Sequence, residues 1–280
     1  MRKLALSDEI LLKVDKAARY IGGEVNSVMK DKNEVEIRFA MCFPDVYEIG
    51  MSNLGMMILY NMFNQREDVW CERLFSPWPD LDKVMREQNI PLFALESQEP
   101  IRDFDFLGIT LGYEMCYTNI LQVLDLSGIP LKSADRGEDF PIVIGGGACA
   151  YNPEPLAPFF DLFYIGEGET VYDALFDAYK ANKKAGGSRR DFLLAAAKIP
   201  GIYVPSLYEV TYKEDGTIAS FAPTEAGVPE KVQKQLIIDM EKEYRAVEAP
   251  VVPHIKATQD RVTLEIQRGC IRGCRFCQAG

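Results

Sequence analysis

Histidine is nearly absent from this chain, since the 280 residues contain only one, His254. A metal or cofactor that needs an imidazole ligand therefore finds none in residues 1–253. Long apolar runs are absent as well, because no stretch has the roughly 20 predominantly apolar residues that a membrane-spanning helix needs. The sequence thus predicts no histidine-rich metal centre and no membrane partner.

Positively charged residues are also fewer than negatively charged ones. The chain has 31 Lys and Arg against 42 Asp and Glu, which gives a formal net charge of −11. Nucleic-acid binding is driven largely by contacts of Lys and Arg with phosphate, so a broad nucleic-acid surface is not expected. Hydrophobic residues at 48% and charged residues at 26% are an ordinary globular mixture, and the length suffices for one large domain or two smaller ones.

The seven cysteines do not have the pattern of a disulfide-stabilised protein. Their number is odd and the chain is long, whereas disulfide frameworks belong mainly to short secreted domains. Four cysteines are scattered through apolar or glycine-rich stretches, where this residue acts as a small buried apolar side chain. They are Cys42, Cys71, Cys116 and Cys149. We therefore expect a reducing, cytoplasmic compartment.

Short apolar strands alternate with helices between residues 35 and 200. This alternation predicts an α/β domain with a doubly wound parallel sheet, of the flavodoxin-like or Rossmann-like kind. In such sheets, ligands bind beyond the carboxyl ends of the strands. The predicted strands lie at residues 35–43, 91–95, 106–111, 142–144 and 162–165, and the predicted helices at 53–64, 80–89, 117–126, 170–181 and 191–198.

Three smaller parts flank this domain. Residues 1–34 are predicted to be an N-terminal helical segment. Residues 201–257 are predicted to be a small β-rich connection, with a hairpin at an Asp-Gly turn followed by a proline-rich stretch. Residues 258–280 contain a predicted strand, 261–267, that runs directly into a group of three cysteines.

This group, Cys270, Cys274 and Cys277, is the strongest candidate site. Three thiols within eight residues can point inward from one loop, and Gly269 and Gly273 allow the backbone to turn tightly. Iron–sulfur clusters are normally held by four cysteines. Three cysteines leave one iron of a 4Fe–4S cluster open, as a reactive centre requires. The alternative is a structural zinc ion, which takes four ligands and would use the single histidine.

A second candidate site is the glycine run Gly145, Gly146 and Gly147, at the carboxyl end of a predicted strand. This position favours contact with a ligand. The alternative is a tight turn that binds nothing, because the run does not match the dinucleotide-binding fingerprint. Glu167 and Glu169, at a second strand end, are either polar contacts or acidic residues that favour the start of a helix.

The Cys-x-x-x-Cys-x-x-Cys spacing, with Phe276 before the last cysteine, resembles the signature of radical S-adenosylmethionine (SAM) enzymes. The glycine run, Pro-Glu-Pro at residues 153–155 and Gly-Glu-Gly-Glu at 166–169 are similar to the N-terminal cobalamin-binding-like domain of many such enzymes. Together with residues 42–50, they make the chain similar to an uncharacterised family in which this domain precedes a radical SAM barrel.

The resemblance implies that each of the three cysteines ligates one iron and that SAM binds the fourth. One electron, from a reductant such as ferredoxin or flavodoxin, would cleave SAM to a 5′-deoxyadenosyl radical that attacks an unknown substrate. Phe276 would pack near the adenine, and residues 261–267 would be the first barrel strand. The rest of the barrel is absent from the 280 residues, so this form is expected to be inactive alone. The alternative is a non-catalytic docking module.

The resemblance also allows cobalamin as a cofactor, with one restriction. Domains of this type that bind cobalt through the protein use an Asp-x-His-x-x-Gly motif, which this chain lacks. The loop in the corresponding place offers Asp45, Tyr47, Ser52 and Asn53 instead. We therefore expect that cobalamin, if bound, has no histidine–cobalt bond. A degenerate domain that binds nothing, or that docks substrate, is the alternative.

Overall fold

A computed structural model describes residues 3–243 and 245–277 of the chain. The predictions for positions 1, 2 and 278–280 lie outside the described residues. Six strands form one sheet in the order β2-β1-β3-β4-β5-β6, with β1 to β5 parallel and β6 antiparallel at the edge. They are β1 Ile37–Phe43, β2 Val69–Phe75, β3 Phe106–Thr110, β4 Ile142–Gly146, β5 Leu162–Tyr164 and β6 Ile202–Tyr203.

Helices of one to four turns precede, connect and follow the strands. They are α1 Asp8–Leu11, α2 Tyr47–Gly50, α3 Leu54–Asn64, α4 Pro79–Gln88, α5 Tyr117–Leu126, α6 Tyr172–Ala185, α7 Arg189–Ala196 and α8 Met240–Glu243. Short 3-10 turns occur at Ala17–Arg19, Ile101–Asp103, Glu114–Cys116, Ser133–Asp135, Ala148–Tyr151, Glu154–Phe159 and Pro205–Leu207. None of the helices in the described ranges is long and apolar enough to cross a membrane.

Apolar side chains cover both faces of the sheet. In β1, Phe39 and Met41 belong to a hydrophobic cluster with residues of α3, α6 and α7, whereas Ala40 and Cys42 belong to a second cluster with residues of α4 and α5. Alternate residues of a strand point to opposite faces, so β1 is buried on both. The strand order 2-1-3-4-5 with helices on both faces is flavodoxin-like, which confirms the predicted fold class of the α/β domain.

The strand β2 is not predicted by the sequence pattern, because Glu72 and Arg73 at its centre are charged. In the structure both side chains are fully buried. The Arg73 guanidinium donates to Glu96 at 2.6 Å and to Glu24 at 2.8 Å, and Arg38 donates to Glu72 at 2.6 Å. These ion pairs satisfy the charges that the strand carries into the interior.

Two predicted strands are wrong. Residues 91–95 make only an isolated bridge, between Phe93 and Pro100. Residues 261–267, expected to be the first barrel strand, form no strand, and their large apolar side chains are exposed. In the described part of the chain no neighbouring strand supplies the hydrogen-bonded ladder that this segment would need.

Of the parts that flank the α/β domain, the N-terminal segment has little of the predicted helix, whereas the connection has the predicted hairpin. In the described residues of the N-terminal segment, 3–34, the only helical structure is the single turn of α1 and one 3-10 turn, separated by Lys16 in the left-handed conformation with φ of 52°. The predicted hairpin is confirmed as β7 Tyr208–Tyr212 and β8 Ile218–Pro223. Its turn contains Gly216 with φ of 80°, a backbone conformation that favours glycine.

Residues 258–277 form the cysteine segment, which lies outside the core because none of these residues is buried. Replacing Cys270, Cys274 and Cys277 together by alanine should therefore change the stability of the α/β domain by no more than about 0.5 kcal/mol, or about 2 °C in Tm. Thermal unfolding followed by far-UV circular dichroism measures this. A much larger fall would mean that the segment is structural, and would favour the zinc alternative.

Candidate functional site

A cavity of about 480 Å³ lies at the carboxyl ends of β3, β4 and β5, on the face of the sheet that α3 covers. The direction of the strand order reverses between β1 and β3, and ligands of doubly wound sheets bind at such a reversal. The walls are strand ends, the first turns of α3 and the turn at residues 166–169. The cavity is therefore the place where the fold itself predicts a ligand.

Glycines form part of the cavity wall. Gly146 and Gly147 line the cavity. Gly147 has φ of 108°, and a Cβ on this residue would lie only 2.9 Å from the Leu111 carbonyl oxygen. Gly145 does not line the cavity; a Cβ there would lie 2.7 Å from the Phe163 ring. Two of the three predicted ligand-loop glycines are thus at the cavity, and the third serves close packing within the sheet.

The first turn of α3 closes one side of the cavity. Asn53 caps this helix, because its Oδ1 accepts a hydrogen bond from the Met56 amide at 2.8 Å. Leu54, Ile58 and Leu59 add apolar surface to the same wall. The cavity is suited to a largely apolar ligand with a few polar groups.

The cysteine segment reaches this cavity through Arg268, two residues before Cys270. The Arg268 Nη2 lies 2.5 Å from Glu169 Oε1, its Nε lies 2.8 Å from Glu265 Oε1, and Glu167 is 3.5 Å away. The hydrogen bond to Glu265 makes the largest contribution to the raised pKa of the Arg268 guanidinium. Partial burial lowers this pKa, and the hydrogen bond to Glu169 raises it further. Glu167 and Glu169 therefore contact a side chain of the chain itself, and contact of either glutamate with a ligand stays a prediction.

The three clustered cysteines are exposed. In residues 3–243 and 245–277, no three His, Cys, Asp or Glu side chains are grouped so as to hold a metal ion. The loop nevertheless has the required donors and turns: Gly269 and Gly273 have φ of 75° and 61°, with open space around both. Three thiols in so short and open a loop fit a 4Fe–4S cluster by their chemistry. Their role as ligands stays a prediction.

Phe276, the predicted SAM contact, is 92% exposed and is not part of the cavity wall. Its side chain is therefore available to a ligand that approaches the cysteine loop from outside. Contact with the adenine of SAM also stays a prediction.

The other four cysteines are buried, which confirms their interpretation as small apolar residues. Burial raises the pKa of the Cys42 thiol, with a smaller contribution from the nearby Cys116, and burial likewise raises the pKa of Cys71, Cys116 and Cys149. Neutral, buried thiols are poor nucleophiles and poor metal ligands. The thiols that solvent can reach are therefore those of the cysteine segment.

His254 lies apart from both candidate sites. Its side chain is exposed, its amide donates to the Tyr47 hydroxyl at 3.3 Å, and its Nε2 is 3.1 Å from the Gly22 carbonyl oxygen. It does not line the strand-end cavity, and within the described residues it belongs to no group of metal-binding side chains.

The strand order, the buried parallel sheet and the strand-end cavity define a flavodoxin-like α/β domain, followed here by a surface loop with three thiols. The model of the family described as radical SAM proteins, N-terminal, matches residues 55–205, which is more than half of the chain. The chain belongs to this family. The match runs from the start of α3 past β6 and ends before the cysteine loop.

Two further similarities extend the comparison. An uncharacterized protein of Methanocaldococcus jannaschii is 26% identical over 241 residues, which cover 86% of this chain and 40% of that protein. The chain thus spans less than half the length of this relative. A solved structure of TsrM, a radical SAM methyltransferase from Kitasatospora setae, is also similar. The alignment covers 70% of this chain and 35% of the TsrM chain, at 14% sequence identity and a TM-score of 0.36.

Proposed function

We propose that this chain is the N-terminal part of a radical SAM enzyme, in which Cys270, Cys274 and Cys277 hold a 4Fe–4S cluster. The observation that carries the proposal is an open loop of three exposed thiols and two positive-φ glycines, in a chain of the radical SAM N-terminal family. When bound, the cluster supplies the electron that cleaves SAM to a 5′-deoxyadenosyl radical. A cytoplasmic location and a ferredoxin or flavodoxin reductant belong to the same proposal.

The residues of this chain would have two tasks in such an enzyme. The cysteine loop would hold the cluster, with Phe276 beside the adenine of SAM. The strand-end cavity would hold a second ligand, which is either cobalamin or part of the substrate. Its apolar wall and Gly146 support this, because the absence of a side chain at Gly146 lets a large flat ligand approach the backbone closely.

Anaerobic reconstitution tests the cluster. The 280-residue chain and a longer chain that contains it would be incubated with iron and sulfide, analysed for both elements, reduced and examined by electron paramagnetic resonance. We expect about four iron and four sulfide per chain, as a 4Fe–4S centre requires. Stoichiometric zinc without sulfide in anaerobically purified protein, and no cluster after reconstitution, would contradict the proposal.

Cobalamin, if it binds, should have no histidine–cobalt bond. The reason is that His254 is outside the strand-end cavity and bonds to Gly22 on another part of the surface. Incubation with cob(II)inamide, which lacks its own nitrogen base, followed by paramagnetic resonance should show no nitrogen superhyperfine splitting. Splitting that is present in the parent chain and lost in His254→Ala would show this prediction to be wrong.

A further inference from the structure

The turn at residues 166–169 is fixed by contacts that do not involve the cysteine segment. Gly166 forms a bridge with Gln235, and a Cβ on this glycine would lie 2.3 Å from the Gln235 carbonyl oxygen. The Ile237 amide donates to Glu167 Oε2 at 2.5 Å, and the Tyr164 hydroxyl donates to the Glu167 carbonyl at 2.5 Å. The turn and the Glu167 side chain within it are therefore held in place by the α/β domain and the connection.

These glutamates face one cation from a distant part of the chain. The Glu169 side chain is only 5% exposed and the Arg268 side chain 19%, so their 2.5 Å ion pair is largely shielded from water. Glu167 and Glu265 complete three carboxylates around the single guanidinium. Removing the cation would leave three carboxylates facing one another, and they would repel the segment that carries Glu265.

Arg268 also connects two regions that the proposed function needs together. Its side chain lines the strand-end cavity. Its backbone is followed by Gly269, where the chain turns, and then by Cys270, the first thiol of the loop. A ligand in the cavity would consequently touch the side chain that precedes the thiols.

We propose that Glu167 and Glu169 form a docking site for the cysteine segment, with Arg268 as the positioning residue that holds the thiol loop at the mouth of the cavity. The part of this inference that concerns a bound cluster rests on the proposed function. The docking itself concerns only the side chains of this chain and is tested without iron or SAM.

The test measures where the loop lies relative to the α/β domain. One nitroxide is attached to Cys274 in a chain with Cys270→Ser and Cys277→Ser, and a second to Lys184→Cys, which is exposed at the end of α6. The four buried cysteines are protected from the label. Pulsed dipolar resonance of the folded chain then gives the distribution of distances between the two nitroxides.

We expect one narrow distribution in the parent and at least a twofold broader one in Arg268→Gln and in Glu169→Gln. Arg268→Lys, which keeps the charge, should restore much of the narrow distribution. Arg272→Gln is the matched control, because this exposed arginine lies in the same loop and should leave the width unchanged. Equal widths in the parent and in Arg268→Gln, with unchanged thermal unfolding, would overturn the docking.

A second measurement separates the docking from the proposed function. In the reconstituted chain, whose three native thiols are occupied by the cluster before labelling, a gadolinium chelate on Lys184→Cys replaces the nitroxide, because the reductant of the cluster would destroy a nitroxide. Dipolar resonance between the reduced cluster and the chelate should give one narrow distance distribution in the parent and a broader one in Arg268→Gln. The same narrow distribution in both would overturn the positioning role. If no cluster forms, the proposed function fails, and the nitroxide distances still decide the docking.

Discussion

Replacing Arg73 by glutamine is expected to lower the free energy of unfolding by about 3–5 kcal/mol. The guanidinium is fully buried between two fully buried carboxylates, at 2.6 Å from Glu96 and 2.8 Å from Glu24. Burial lowers the pKa of Arg73, but attraction to Glu96 and Glu24 outweighs it and raises the pKa above the ordinary value. Without the cation, both carboxylates remain in the interior and lose their ion pair with Arg73. Urea unfolding followed by circular dichroism measures the change.

Arg86→Gln is the matched control for this prediction. Arg86 also contacts two carboxylates, Asp82 and Asp125, both at 2.5 Å, but its side chain is 48% exposed. Ion pairs at the surface contribute about 0–1 kcal/mol, so the same substitution should have a small effect there. Similar losses in the two variants would mean that burial does not decide the importance of these ion pairs.

The same buried ion pairs explain what sequence reasoning could and could not predict of the fold. The strands β1, β3, β4 and β5 are apolar runs, and both faces of the sheet bury them, so composition alone predicts them. The strand β2 has Glu72 and Arg73 at its centre, and their partners Arg38, Glu96 and Glu24 lie 23 to 49 residues away in the chain. No local pattern shows that such charges are paired inside.

The same difference between local sequence patterns and contacts of distant residues applies to the candidate site. The cysteine motif and the glycines at the end of β4 are local in sequence, so their positions can be predicted from spacing and from the rule that ligands bind at strand ends. The contact of Arg268 with Glu169 joins residues 99 positions apart. The apolar alternation at residues 261–267 predicts a strand, but a strand also needs neighbours, which a local pattern cannot supply.

Replacing any one of Cys270, Cys274 or Cys277 by serine is expected to lower the iron retained after anaerobic reconstitution at least about tenfold. Loss of an outer partner of a metal ligand already costs roughly 10–100-fold in affinity, and each of these thiols is proposed to be a direct ligand in a set of only three. Iron and sulfide analysis, with paramagnetic resonance of the reduced protein, measures the loss. In a longer chain that includes a SAM pocket, formation of 5′-deoxyadenosine should fall with the iron.

Cys42→Ala is the control for this series, because it removes a thiol that is fully buried and has a raised pKa from burial. It should retain the iron of the parent chain, at a modest cost in stability from the small space it leaves. The three serine variants should unfold at the same temperature as the parent, since their side chains lie on the surface. A serine variant that keeps its cluster and its SAM cleavage would exclude that cysteine as a ligand, and three such variants would overturn the proposed iron site.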